Sequence, residues 1–106
     1  KKMVSARELF RFKGRVVTLA GWLVATKQTR TVKNELMKFM TLDDATGLFE
    51  VVLFPKTYKR FGSLIYDNGP YIVKGRVEKE GSCLSVTALW INRIGRKDNR
   101  SNKSIS

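Results

Sequence analysis

The chain has 106 residues, a mass of 12.1 kDa and a formal net charge of +12. We expect a single domain, because this length suits one and 42% hydrophobic residues are typical of a globular core. An excess of 21 Lys and Arg over nine Asp and Glu favours nucleic acid or an anionic membrane as partner, rather than a neutral metabolite. The absence of His and the single Cys83 exclude imidazole catalysis, an internal disulfide and a thiolate metal cluster.

The two ends of the chain differ in character from its middle. Ser5 and Glu8 have the spacing of a helix cap, so we expect residues 1–14 to form a lead-in with a short helix. The polar segment 95–106 has few apolar groups to offset its ordering entropy, and we expect a mobile tail. Because the chain starts at Lys1 rather than Met, we expect a piece of a longer protein. The sequence contains neither a membrane-length apolar run nor a signal-peptide pattern, so we expect a cytoplasmic protein with no membrane partner.

Five β-strands separated by turn-forming residues are predicted between these ends. The predicted strands are 15–26, 36–43, 48–54, 71–78 and 83–91. The period changes after the third strand, where Pro55 begins a short helix with Tyr58, Phe61 and Ile65 on its apolar face. Gly21 lies inside the first strand, where we expect a bend or a bulge.

This order of elements is typical of an all-β fold, the OB-fold. It is a five-stranded Greek-key barrel, here with one short helix between strands 3 and 4. The barrel is expected to span residues 15–94. Because OB-folds bind oligonucleotides on strands 2 and 3, between loops 1-2 and 4-5, the sequence predicts a nucleic-acid-binding site on that face.

Several motifs resemble the OB domain of bacterial C-family replicative DNA polymerases, which include the α subunit of DNA polymerase III. The matching segments are 17–21, 37–47, 50–55 and 73–78, with Tyr58 and Phe61 following the third of them. The resemblance implies a non-catalytic module of a DNA-directed DNA polymerase, a transferase that acts in bacterial DNA replication. The module would lie downstream of the catalytic domains and engage single-stranded DNA near the template.

Loops 1-2 and 4-5 carry the candidate phosphate contacts. Lys27, Arg30 and Lys33 lie in the predicted loop 1-2, residues 27–35, and on charge and resemblance we predict that they contact phosphates. Lys79 in loop 4-5 is a further candidate. The alternative for loop 1-2 is a solvated hairpin loop. Lys74 and Arg76 share an outward face of strand 4, for which we predict a solvated surface away from the site.

Phe39 is the main candidate for base stacking. Met40 and Leu42 alternate toward the core, which leaves Phe39 and Thr41 on the opposite face of strand 2. An aromatic ring on the binding face of an OB-fold stacks bases with little sequence preference. Trp22 on strand 1 is a second candidate, with a place in the barrel wall as its alternative. If a bulge reversed the phase of strand 2, Phe39 would instead be a core residue.

The carboxylates offer two further interpretations. Glu50 faces outward from strand 3, where it would accept a proton from a base amino group or, as we favour, pair with a neighbouring Lys. Asp43, Asp44 and Glu50 together resemble the ligand set of a two-metal nuclease. However, Asp43 and Asp44 open a turn whose backbone amides they can cap. We therefore predict no metal, no cofactor and no catalytic residue.

These observations predict a non-enzymatic, monomeric OB module that binds single-stranded DNA as part of a DNA polymerase III α-type chain, with other replisome subunits as further partners. Two alternatives stay open. Residues 21–23 followed by a basic loop are also similar to the anticodon-binding OB domain of class II aminoacyl-tRNA synthetases, which implies an RNA ligand. The other alternative is a protein-interaction module whose basic face binds an acidic partner.

Overall fold

A computed structural model describes residues 3–94, so the tail expected at residues 95–106 lies outside the described residues. Five strands are present: β1 Val16–Arg30, β2 Leu36–Asp43, β3 Leu48–Leu53, β4 Tyr71–Glu80 and β5 Cys83–Arg93. A 3-10 helix, Ala6–Phe12, precedes β1. The helix α1, Pro55–Phe61, and a 3-10 turn, Gly62–Leu64, connect β3 to β4. None of these helices has the length and hydropathy needed to cross a membrane.

The strands close into a barrel in the order β1-β2-β3-β5-β4. β1 completes the ring because it pairs with β2 along its second half and with β4 along its first half. β3 and β5 run parallel over a short stretch, from Glu50 opposite Ser85 to Val52 opposite Thr87, and the other pairs are antiparallel. The predicted five-stranded OB-fold with one short helix between strands 3 and 4 is confirmed.

Alternate residues of every strand fill the barrel. The largest fully buried side chains are Tyr71, Leu19, Met40, Leu42, Leu53 and Ile91. The apolar face predicted for the helical segment covers this core, since Tyr58, Phe61 and Ile65 pack against it. Burial of side chains of this kind contributes about 1.5–3 kcal/mol each. The barrel wall is therefore a rigid support for the side chains on its outer surface.

Three strands are longer than predicted, and this moves candidate residues out of loops. β1 continues to Arg30 and β4 to Glu80, while β5 ends at Arg93. The added residues of β1 pair with β2, including Lys27 opposite Phe39. The prediction that Lys27, Arg30 and Lys79 lie in loops is therefore wrong. The polar segments that contain them are extended because β1 pairs with β2, and β4 with β5, nearly to the hairpin turns. The loops themselves shrink to 31–35 and 81–82.

The bulge expected at Gly21 occurs further along β1. The register with β2 shifts between Leu23 and Ala25, so the extra residue is Val24. Gly21 instead marks the point where β1 passes from β4 to β2. A Cβ at this position would lie 2.9 Å from the carbonyl oxygen of Asp43, so the close approach of two strands requires glycine.

The acidic turn between β2 and β3 is capped by its own side chains, as predicted. Asp43 Oδ1 accepts a hydrogen bond from the Ala45 amide at 2.8 Å. Asp44 Oδ1 accepts bonds from the amide and hydroxyl of Thr46 at 2.9 and 2.7 Å. Its Oδ2 accepts the Ala6 amide at 2.7 Å, which ties the N-terminal 3-10 helix to the barrel. Burial raises the pKa of Asp44, but these hydrogen bonds outweigh it and hold the pKa below its ordinary value.

Candidate nucleic-acid interface

The outer face of β2, β3 and β5 forms a concave surface of about 610 Å³, named the groove below. Its lining residues are Met37, Phe39, Val52, Phe54, Ser85 and Thr87, with residues 78–80 of β4 at one side. The β1–β2 hairpin extends beside one edge, and the β4–β5 hairpin beside the other. The groove therefore has an apolar and hydroxyl-bearing floor between two projecting arms.

Phe39 lies on the floor of the groove and is half-buried. Its neighbours Met40 and Leu42 are fully buried in the barrel. The β2–β3 register is continuous from Lys38 to Asp43, so no bulge reverses the phase. The predicted orientation of Phe39 is confirmed, and its cross-strand partner Val52 gives the ring a firm apolar neighbour.

The β1 bulge decides which basic residues face the groove. Val24 adds one residue to β1, and the alternation of the following residues is thereby reversed. Lys27 comes to lie directly opposite Phe39, on the groove face. Arg30 pairs with Leu36, whose side chain lies on the face of β2 opposite to that of Phe39. The guanidinium of Arg30 donates a hydrogen bond to the carbonyl oxygen of Asn34 at 3.0 Å. The structure thus brings Lys27 to the groove and directs Arg30 away from it.

Lys33 lies at the tip of the β1–β2 hairpin, exposed. The hydroxyl of Thr31 accepts hydrogen bonds from the amides of Lys33 and Glu35, at 3.2 and 3.3 Å. Asn34 has a φ of 64°, a left-handed conformation that Asn tolerates better than most residues. The turn is therefore an ordered structure that presents Lys33 beyond the edge of the sheet.

A polar row runs across the barrel beside the row of Phe39. Thr41 pairs with Glu50, Glu50 with Ser85, and Ser85 with Glu78. Both carboxylates are on exposed residues, and Lys79 follows at the groove edge. A row rich in hydrogen-bond acceptors thus runs beside the row that is suited to stacking, and it shares Ser85 and Glu78 with the groove.

The pairing that we favoured for Glu50, with a neighbouring Lys, is wrong for the structure. Among residues 3–94, the ion pair found joins Arg93 to Asp67, at 2.6 Å between Nη2 and Oδ2. The side chains of strand 3 alternate, which leaves Glu50 pointing outward between Thr41 and Ser85. Its carboxylate is accordingly exposed on the outer surface, beside the groove residue Ser85.

Trp22 lies on the same outer surface but at the far end of β2. It pairs with Asp43, four residues along the strand from Phe39, or about 13 Å at the ordinary rise of a strand. Trp22 is 56% exposed, and Leu48 of β3, which pairs with Asp43 on the other side, is 61% exposed. Trp22 therefore extends the outer surface without lining the groove itself.

The model of the family described as "OB-fold nucleic acid binding domain" matches residues 17–96. The chain belongs to this family. Among curated proteins, the OB domain is 33% identical over 83 residues to an error-prone DNA polymerase of Symbiobacterium thermophilum, and the match covers 76% of this chain and 7% of that protein. It is also 38% identical over 68 residues to the DNA polymerase III subunit alpha of Staphylococcus epidermidis, covering 64% of this chain and 6% of that protein.

Solved structures share the fold at lower identity. The asparaginyl-tRNA synthetase of Pyrococcus horikoshii in complex with asparaginyl-adenylate superposes with a TM-score of 0.65 and 22% identity, over 88% of this chain and 22% of that chain. This likeness supports the barrel topology. The polymerase relatives place similar sequence within much longer chains, of which the OB domain spans about 7%.

Several groove residues of the OB domain were missed by the sequence analysis. Ser85 and Thr87, which line the groove together with Val52, are not among the residues predicted from the sequence. The signal was present, since Ser85 and Thr87 alternate with the buried Val86 and Ala88. What the sequence does not reveal is the parallel pairing of β5 with β3, which brings these hydroxyls beside Val52.

Proposed function

We propose that this OB domain binds single-stranded DNA in the groove, as a module of a DNA polymerase III α-type or error-prone polymerase chain. The observation that carries the proposal is the pairing of Lys27 with Phe39 on the groove face. A cation beside a half-exposed aromatic ring supplies the two interactions that single-strand binding requires, one with phosphate and one with a base. The polymerase relatives supply the parent chain and support DNA as the ligand.

In the proposed mechanism, a base stacks on the ring of Phe39 and packs against Val52. The flanking phosphates contact Lys27 on β1 and Lys33 at the tip of its hairpin, while Lys79 contacts the backbone from the other arm. Stacking of this kind contributes about 1–3 kcal/mol per base. Because every base has an aromatic face, binding through the ring alone is tolerant of sequence.

The polar row supplies hydrogen bonds to base edges. The carboxylate of Glu50 accepts from exocyclic amino groups, and the hydroxyls of Thr41 and Ser85 accept or donate. We expect these contacts to be made to unpaired bases, because a base that stacks on Phe39 needs a free aromatic face, which bases within a duplex lack. Trp22 serves as a second stacking surface for a nucleotide beyond Asp43, and Arg30 is not a groove contact.

The module contributes binding and no catalysis of its own, and catalysis belongs to other domains of the parent DNA-directed DNA polymerase. The isolated domain is a monomer in this proposal, the parent chain is cytoplasmic, and other replisome subunits are its further partners. The relatives named as DNA polymerases support a DNA polymerase as the parent chain.

Competition measured by fluorescence anisotropy tests the proposal. A labelled single-stranded DNA is bound by the OB domain and displaced by unlabelled single strand, duplex, or RNA of the same sequence. We expect single-stranded DNA to compete best and duplex least. Equal competition by duplex would show that charge alone drives binding, and preference for RNA would favour the anticodon-type function. A flat response to salt would favour a protein partner.

A further inference from the structure

A second bulge, in β5, exposes two large apolar side chains on the side of the barrel away from Phe39. The β4–β5 register shifts between Lys74 and Gly75, so Leu89 is the extra residue of β5. Leu89 is 51% and Trp90 39% exposed, although Ala88 before them and Ile91 after them are buried. The bulge thus places two consecutive apolar residues on the outer surface, where an unbroken strand would turn one of them into the core.

Two basic residues of β4 lie near Trp90 in the β4–β5 ladder. Trp90 pairs with Lys74, and Lys74 pairs on its other side with Thr18 of β1. Arg76, two residues along β4, pairs with Thr87. The surface formed by Thr18, Lys74, Arg76, Leu89 and Trp90, named the back face below, carries two positive charges, and Glu78 lies next to Arg76 on its groove side. An exposed aromatic ring among cations suits a nucleotide better than it suits a purely apolar partner.

The back face is continuous with the groove. Thr87 lines the groove and is also the cross-strand partner of Arg76. Phe39, Val52, Thr87 and Arg76 therefore form one row across four adjacent strands. With about 4.8 Å between strands, Phe39 and Arg76 lie roughly 14 Å apart along the surface. A nucleic-acid strand that leaves the groove past Thr87 reaches Arg76 without crossing an arm.

The charges at the groove edge also favour a nucleic-acid strand that passes from the groove toward Arg76. Glu78 and Glu80 flank Lys79 on the β4–β5 hairpin side of the groove, so a phosphate bound at Lys79 is repelled from continuing along the hairpin. Arg76 lies just beyond them, exposed, with Nη1 donating to the carbonyl oxygen of Gly14 at 2.9 Å. This bond holds one end of the guanidinium and leaves its other nitrogens directed to solvent for a phosphate.

We propose that the back face is a second contact for the same single-stranded DNA, in which Arg76 and Lys74 bind phosphates and Trp90 stacks a base. The proposal rests on the proposed function of the groove and extends it. The strand then follows the barrel from β2 to β4, and the binding site is longer than the groove. Binding should therefore depend on oligonucleotide length beyond what Phe39 alone explains.

The test compares short and long single-stranded DNA with two variants of the back face. The short oligonucleotide has about four nucleotides and the long one about twelve, within the range of OB-fold site sizes. We expect Trp90→Leu and Lys74→Ala each to weaken binding of the long strand about fivefold or more, with little effect on the short strand. For Lys74→Ala, the slope of log affinity against log salt should become shallower by about 0.7 for the long strand. Lys59→Ala, a charge loss on an exposed residue of α1, is the matched control.

Phe39→Leu separates failure of this proposal from failure of the groove. If Phe39→Leu weakens both strands while Trp90→Leu and Lys74→Ala behave like the control, the back face does not bind DNA. If Phe39→Leu has no effect on binding of either oligonucleotide, the proposal that the groove binds DNA is wrong. Thermal unfolding shows whether each variant is folded, and Lys74→Ala, an exposed site, decides the question if Trp90→Leu is unstable.

Discussion

Lys27 lies directly opposite Phe39 in the β1–β2 ladder, so a cation and an aromatic ring occupy adjacent positions on one face of the barrel. Side chains at such paired positions have Cβ atoms about 4.5–5.5 Å apart. Arg30, three residues further along β1, has the opposite phase and bonds to the carbonyl of its own turn. Two basic residues of one hairpin therefore have different environments, which a pair of substitutions can distinguish.

Replacing Lys27 with Ala should weaken binding of single-stranded DNA and make the salt dependence shallower. Loss of one phosphate contact reduces the slope of log affinity against log salt by about 0.7. Arg30→Ala removes the same charge from the other face and should leave the slope nearly unchanged. Anisotropy titrations over a range of salt concentrations measure both slopes. Equal changes in the two variants would mean that the hairpin acts through its total charge and not through the position of Lys27.

Phe39→Leu should weaken DNA binding by about 1–2 kcal/mol without changing the salt slope, because a stacked ring releases no counterions. Phe39 is half-buried on the outer face, so the loss of stability should be small. Met40→Ala, at the neighbouring inward position, is the contrasting variant. It should lower the free energy of unfolding by about 2–5 kcal/mol, as expected for a fully buried site. A Phe39→Leu protein that is destabilised yet binds like the parent would contradict the stacking role.

Strand 2 shows what the sequence alone can predict. Met40 and Leu42 alternate with Phe39 and Thr41 along the strand. Because the pairing of β2 with β3 contains no bulge, the first two side chains lie inside the barrel and the other two on its outer surface. The succession of strands along the chain and the capping by Asp44 follow equally from local patterns. Each of these features depends on residues close together in the chain.

The features that the sequence did not reveal depend on pairing between distant residues. The bulge at Val24 places Lys27 on the groove face, and no residue type around it specifies that shift. The polar end of β1 is extended because β2 pairs with it, although its composition resembles a loop. Likewise, Ser85 and Thr87 join the groove through parallel pairing with β3. Tertiary pairing, rather than local preference, decides these positions.

Asp44 should make the stability of the domain sensitive to acid. Its pKa is lowered in the folded protein, so it stabilises the fold above the unfolded value of about 3.9, and this contribution is lost as the pH falls through the folded value. Asp44→Asn should reduce the free energy of unfolding near pH 7 by about 1 kcal/mol. The variant should also lose less stability than the parent between about pH 5 and pH 3.

Thr46→Val is the matched control for this prediction. It removes the hydroxyl that donates to Asp44 at 2.7 Å but keeps the carboxylate and its bond to the Ala6 amide. Its loss of stability in acid should lie between those of the parent and Asp44→Asn. Denaturant unfolding at several pH values measures all three proteins. Parallel pH profiles for the parent and Asp44→Asn would show that this carboxylate does not contribute to acid sensitivity.

Gly75→Ala should be the most damaging small substitution in the barrel wall. A Cβ at Gly75 would collide with the carbonyl oxygen of Thr87 and lie 2.7 Å from a methyl of Val86, so β4 and β5 must separate where the groove and the back face meet. Overpacking of this kind costs about 1–3 kcal/mol or more. At about 4–8 °C per kcal/mol for a domain of this size, the melting temperature should fall by roughly 4 °C or more. Because Thr87 lines the groove, DNA binding should weaken as well, even at temperatures where the variant is folded.

Gly14→Ala supplies the comparison, because its added Cβ meets nothing within 4 Å and its cost comes from a φ of +78° alone. We expect this substitution to lower the free energy of unfolding by about 1–2 kcal/mol while affinity for a short oligonucleotide, which does not reach Arg76, stays at the parent value. Thermal melts and anisotropy titrations on the two variants distinguish a loss of stability that comes from backbone conformation alone from one that comes with displacement of β4 from β5. If Gly75→Ala melted and bound like Gly14→Ala, β4 and β5 would have room to adjust around Thr87. The close approach of these strands would then not be what holds the groove in shape.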